Sequence, residues 1–188
     1  GDTGFAFALT PRGAPLTFTL GIYDVVNLES DQPEVSILEC LSFLDRDGDF
    51  SGSHVTSDKP IFVFSSGERA LAGSEWQPNT DACCTDHIEE QMFPTTALGW
   101  DFAISRSPTR STEVNNPEAD IYRILATVDN TTVTTSLPAP FNSFTLQAGE
   151  FYSLWATTGF TIESQGGAIM VGQYLVAQGY LPTAFTGD

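Results

Sequence analysis

Apolar and polar positions alternate most regularly between residues 143 and 176, and the alternation predicts four short β-strands. These are Ser143–Leu146, 151–155 (FYSLW), 160–163 (FTIE) and 169–176 (IMVGQYLV). β-branched and aromatic side chains take turns there with smaller or polar ones, as a half-buried strand requires. The breaks fall at Ala148-Gly149, Thr158-Gly159 and Gly166-Gly167, where glycine lets the chain turn. Upstream, 100–105 (WDFAIS), 121–127 (IYRILAT) and 131–136 (TTVTTS) predict three further strands. A Pro- and Asn-rich loop around 108–117 and the Asp129-Asn130 turn set them apart, and Pro138 and Pro140 break the chain before residue 143.

The same plan occurs earlier in the chain. The strands at 16–20 (LTFTL), 23–28 (YDVVNL), 54–57 (HVTS) and 60–65 (PIFVFS) answer to the four later ones. Val55 and Ile61-Phe62-Val63 line up with Ile162 and Ile169-Met170-Val171, with one extra residue in the later copy. Residues 5–9 (FAFAL) read as a strand, whereas 35–44 (VSILECLSFL) fit a buried strand or a short helix. The expected fold is therefore all-β, with tandem antiparallel β-sandwich-like repeats. The first repeat spans 1–95 and is incomplete at its N-terminal side; the second spans 96–188. Blades of a β-propeller are the alternative. A missing strand in the first repeat leaves a groove or sheet edge open to strand addition, a route to a homo-oligomer or filament.

Charge narrows the partners. Seven Lys and Arg against 24 Asp and Glu give a net charge of −17. Such a surface disfavours nucleic acid and anionic membranes and suits surroundings rich in salt or divalent cations. The 41% hydrophobic share marks a folded chain. No apolar run approaches the roughly 20 residues of a transmembrane helix. No signal peptide is visible, and the start at Gly1 without an initiator Met suggests a processed or excised piece of a longer chain. Cys40, Cys83 and Cys84 are odd in number. Cys40 bonded to one of the adjacent pair is the preferred arrangement, in an oxidising compartment. No CxxC spacing makes them a zinc site.

Two short stretches carry candidate chemistry. In 45–52 (DRDGDFSG), Asp45, Asp47 and Asp49 alternate as in the first half of a calcium loop. Phe50 stands where the EF-hand needs Gly and Thr56 where it needs Glu, so any calcium site is of another type; a solvated turn is the plainer reading. In 83–94 (CCTDHIEEQMFP), Asp86, His87, Glu89 and Glu90 cluster. His87 with Glu89 or Glu90 suits a metal or acid–base chemistry; a structural hydrogen-bond hub of Asp86, His87 and Glu90 is the plainer reading. No GxSxG, HExxH or P-loop occurs. Asn130-Thr131-Thr132 is formally a glycosylation sequon. Trp76, in an expected polar loop over 65–82, is the candidate ligand-contacting aromatic. Trp100 and Trp155 fall in strand patterns and are expected in the core.

Four segments, SGSHVTSDKPIFVFSSGE, CCTDHIEEQMFP, DIYRILATVDNTTVTT and FTLQAGEFYSLWATTGFTIES…AIMVGQYLVAQ, occur in this order. Together they resemble the amino-terminal domain of the IgG-Fc-binding family and its bacterial secreted or surface relatives. The likeness runs from about Leu16 to Gln178. It implies an extracellular or cell-surface protein; the Fc binding of the family's animal namesake does not travel with a fold. Family members often carry a cysteine where this chain has Glu68-Arg69-Ala70. That departure makes Cys40 the substitute partner of Cys83 or Cys84.

The leading expectation is an extracellular structural or adhesive β-module. It binds other protein subunits or surface glycans, or joins a surface assembly, without catalysis. A calcium-stabilised binding module is the second, calcium being the candidate ion where no motif demands a cofactor. A metal-dependent enzyme built on His87, Glu89 and Glu90 is the third.

Overall fold

The computed structural model describes residues 13–30, 49–78, 86–111 and 117–181. The chain divides into two compact units, Gly1–Phe50 and Ser51–Asp188.

The described part of the first unit carries no strand. Both strands expected there, 16–20 and 23–28, are irregular. The Gly21 N–H donates to Asp24 Oδ2 at 2.7 Å and the Asp24 N–H to the Gly21 carbonyl at 3.3 Å, closing a turn. Tyr23 sits at φ 69° inside that turn. An Asx-type turn competes with extension. Ile22, Tyr23 and Val25 are exposed, so alternation here has no surface to bury against. The stretches 5–9 and 35–44 lie outside the described residues.

In the second unit all seven strands expected from 100 onward are present, β3 to β9, within a residue or two at each end. They follow β1 (Phe64–Ala70) and β2 (Asp86–Gln91). The seven are β3 (Asp101–Ile104), β4 (Asp120–Ala126), β5 (Thr131–Thr135), β6 (Ser143–Leu146), β7 (Phe151–Ala156), β8 (Phe160–Gln165) and β9 (Ile169–Leu175). They form a four-stranded sheet ordered β3-β8-β5-β6 and a three-stranded sheet ordered β7-β4-β9, every pair antiparallel. Tyr122, Ile124, Leu154, Ala156 and Ile169 of one sheet share a core with Val133, Phe160 and Ile162 of the other. Two sheets face to face make a sandwich-like all-β fold, with no closed barrel among the described residues. Tyr122 meets Phe160 edge to face at 4.9 Å, and burying each such side chain contributes roughly 1.5–3 kcal/mol.

The three-stranded sheet is covered on its outer face too. Ile121 packs there with Val176 and Tyr180, and Leu71, Ala72, Trp76, Trp155 and Tyr174 lean on them. Strand β4 is consequently buried almost end to end. The cover is held by the Ala177 N–H donating to the Ala72 carbonyl at 2.8 Å. Gly73, at φ +133°, lies under the Tyr180 ring, where a Cβ would collide with ring carbons. Gly149, at φ +79°, supports the turn between β6 and β7, closed by the Glu150 N–H to the Gln147 carbonyl at 2.9 Å.

The upstream half of this unit differs from its expectation. Residues 54–57 are irregular, and the strand expected over 60–65 begins only at Phe64. It continues to Ala70, through what the polar composition suggested was loop, because it pairs with β2. Ladder bonds join backbone groups, so a polar sequence such as DHIEEQ forms a strand once a partner is alongside.

Candidate binding surface

Strands β1 and β2 form a two-stranded antiparallel ribbon in which Phe64 faces Gln91, Ser66 faces Glu89 and Gly67 faces Ile88. The Met92 N–H donates to the Val63 carbonyl at 2.8 Å, extending the ladder so that Phe62 stands against Phe93. Side chains alternate across a strand. Val63, Ser65, Gly67, Ile88, Glu90 and Met92 therefore share one face, on which Val63, Gly67, Ile88 and Met92 are partly buried and Ser65 and Glu90 exposed. Phe62, Phe64, Ser66, His87, Glu89, Gln91 and Phe93 share the other. On that face Phe62 is 82% exposed, Phe93 65% and Phe64 59%. Cross-strand and diagonal neighbours are within reach of aromatic rings, so the three phenylalanines form one apolar patch open to water.

The acidic cluster lies on the same ribbon. His87 Nε2 is 3.3 Å from Glu89 Oε2, two residues on and hence on the same face, with both side chains 54% exposed. Asp86 Oδ1 accepts the His87 N–H at 2.8 Å, and Glu90 Oε1 accepts the Gln91 N–H at 3.3 Å. Each of these bonds reaches one or two residues along β2: His87 meets Asp86 and Glu89, and Glu90 meets Gln91. Between Gly67 and Ala70, β1 has one residue more than β2, a bulge opposite His87.

A second polar group is enclosed where the sandwich begins. Asp120 Oδ2 accepts from the Ser107 N–H at 2.6 Å, from Gln173 Nε2 at 3.0 Å and from the Tyr122 hydroxyl at 3.3 Å. Glu118 Oε1 accepts from the Arg110 N–H at 3.0 Å and from Arg110 Nε at 3.3 Å. Arg110 also donates to the Val176 carbonyl at 2.6 Å, and Arg106 to the Glu118 carbonyl at 3.0 Å. Asp120 and Glu118 are buried. The Arg110–Glu118 ion pair and the bonds of Arg106 and Asp120 pin the chain after β3 to β4 and to the end of β9. Burial, then the charge and hydrogen bond of Asp120, push the Tyr122 phenol well above its usual value. Burial, then the Glu75 carboxylate, push Tyr180 up as well.

The other residues singled out by sequence fall as follows. Asp45 and Asp47 lie outside the described residues, as do Cys40, Cys83 and Cys84; Asp49 is exposed. Among the described residues no group of three His, Cys, Asp or Glu side chains is arranged to hold a metal ion. Trp76 is partly buried against Ile121, Val176 and Tyr180. Trp155 is partly buried in that cluster, whereas Trp100, expected in the core, is about half exposed because it precedes β3 and sits outside both packed faces. Sequence reasoning missed Phe62, Phe64 and Phe93 as a surface, reading 60–65 as a strand without assigning its faces. The available signal was the length of the run, which is apolar on both faces although only one can be covered.

A family model described as IgGFc binding protein matches residues 2–188. The chain belongs to that family. The IgGFc-binding family is one of binding modules, typically extracellular, with protein partners. No curated protein and no solved structure matches the chain. No helix of the described residues is long and apolar enough to cross a membrane.

Proposed function

We propose that this IgGFc-binding family chain is a structural or adhesive β-module that holds protein or glycan partners, or joins a surface assembly, and performs no catalytic step. The observation that carries the reading is the outward face of the β1–β2 ribbon, three exposed phenylalanines on a surface of the kind that marks interaction sites. His87 and Glu89 support the non-catalytic part, since both stand in open water on that face rather than in a closed cleft. Size-exclusion chromatography with light scattering, together with arrays of matrix proteins, antibody Fc and glycans, tests it. Binding to an array component or self-assembly is the expected result. A strict monomer that binds nothing overturns it.

A further inference from the structure

We infer that the outward face of the β1–β2 ribbon docks an extended, basic segment of a different protein, its apolar side chains on Phe62, Phe64 and Phe93 and its Lys or Arg side chains toward Glu89. The inference rests on the protein-binding role proposed above and gives that role a site and a partner chemistry.

Three observations converge on it. The first is the patch itself: Phe62 opposes Phe93 across the ladder, with Phe64 diagonal to it, and all three are more than half exposed. Aromatic side chains presented by a fixed backbone make good anchors, because little freedom is lost when they are covered. The second is the repeat of the surface. Along β2 and the two residues that follow it, the outward positions His87, Glu89, Gln91 and Phe93 run from polar to apolar, about 6.6 Å apart for every second residue in an extended chain. An extended segment has the same spacing and fits that run in register, whereas a helix does not. The third is charge. On the outward face Glu89 is exposed beside the imidazole of His87, in a chain with a net charge of −17; Asp86 and Glu90 belong to the opposite face of β2. A second copy would bring the same excess of negative charge; a basic partner is attracted by the chain's net charge and by Glu89, and faster at low salt.

The test uses the full chain and a labelled synthetic peptide of about ten residues alternating Lys with Val or Phe. Its controls are a version with every Lys replaced by Glu and one with the same composition in blocks. Fluorescence anisotropy is expected to show binding of the alternating basic peptide alone, weakening severalfold as salt rises from low to about physiological strength. Phe62→Ser, Phe64→Ser and Phe93→Ser together are expected to weaken it about tenfold or more. Glu89→Gln is expected to flatten the salt dependence while leaving most of the affinity. Because these side chains are exposed, the variants should melt with the native chain; the Lys-to-Glu peptide needs no variant at all. Equal binding of the Glu peptide, equal binding by the triple-serine variant, or dimerisation through this face overturns the inference. An array protein bound equally by the native chain and the triple-serine variant would also overturn it while leaving the protein-binding role intact. Absence of any array partner removes that role itself.

Discussion

The ribbon and the sandwich each hold a carboxylate 3.3 Å from a basic side chain, Glu89 beside the His87 imidazole in the one and Glu118 beside the Arg110 guanidinium in the other. Distance alone makes them equal. Their surroundings do not: both partners of the first are 54% exposed, whereas Glu118 is 1% and Arg110 29% exposed. Water screens the ribbon pair, which forms or parts at little cost. The sandwich pair is enclosed, so its members depend on one another, and removing one strands the other. Aromatic residues divide the same way. Tyr122 and Phe160 are locked edge to face in the core, while Phe62, Phe64 and Phe93 face solvent. One region stores stability; the other offers contact.

The contrast breaks most readily at Glu118. Glu118→Ala leaves the Arg110 guanidinium without its carboxylate and is expected to cost about 3 kcal/mol. Urea denaturation at unchanged slope measures it, and a loss under about 1 kcal/mol would put this pair in the same class as the exposed one. Next comes Gly73→Ala, which forces a side chain to φ +133° against the Tyr180 ring. Strain and overpacking together predict about 2 kcal/mol, read in the same way; no change would mean that the 71–77 cover is detachable from the sandwich.

Tyr122→Phe is smaller and carries a pH signature. The folded phenol keeps its proton to higher pH than the unfolded one, whose value is about 10. Unfolding therefore releases a proton above that point, so the stabilisation is full below about pH 10 and is lost as pH rises toward the folded value. The variant should lose about 1 kcal/mol at neutral pH, the combined worth of two long hydrogen bonds, one to Asp120 and one from Gln173, and part of the alkaline slope. Melts at several alkaline pH values check this, and an unchanged slope would mean that Tyr122 does not contribute. The smallest effect is expected from Glu89→Ala, below about 0.5 kcal/mol at neutral pH. A larger loss would mean that the ribbon pair also holds the fold together.

The seven sandwich strands were legible because their sequence obeys two local rules at once, alternation within each strand and Gly or Asn at the breaks. Ser143–Leu146 coincides to the residue, and Asn130 takes the φ of 58° that the Asp129-Asn130 turn implies. The upstream strands were misplaced where those rules conflict. Residues 16–28 alternate, yet the Gly21–Asp24 turn interrupts them; DHIEEQ scarcely alternates, yet it is a strand. The enclosed polar group was illegible for another reason. Arg106, Arg110, Glu118, Asp120 and Gln173 come from three separated stretches, and nothing local marks a carboxylate that will be buried.

By itself, then, the chain's order of residues determined an all-β sandwich, its acidic character and its membership of the IgGFc-binding family, since each depends on near neighbours, on composition or on motif order. Tertiary structure alone decided which aromatic residues are core and which are surface, and which of two equally close carboxylate contacts is enclosed. The physical reason is that burial is a property of what lies opposite. Phe64 and Phe160 look alike in a strand pattern, and only the presence of a second sheet over one of them separates anchor from core.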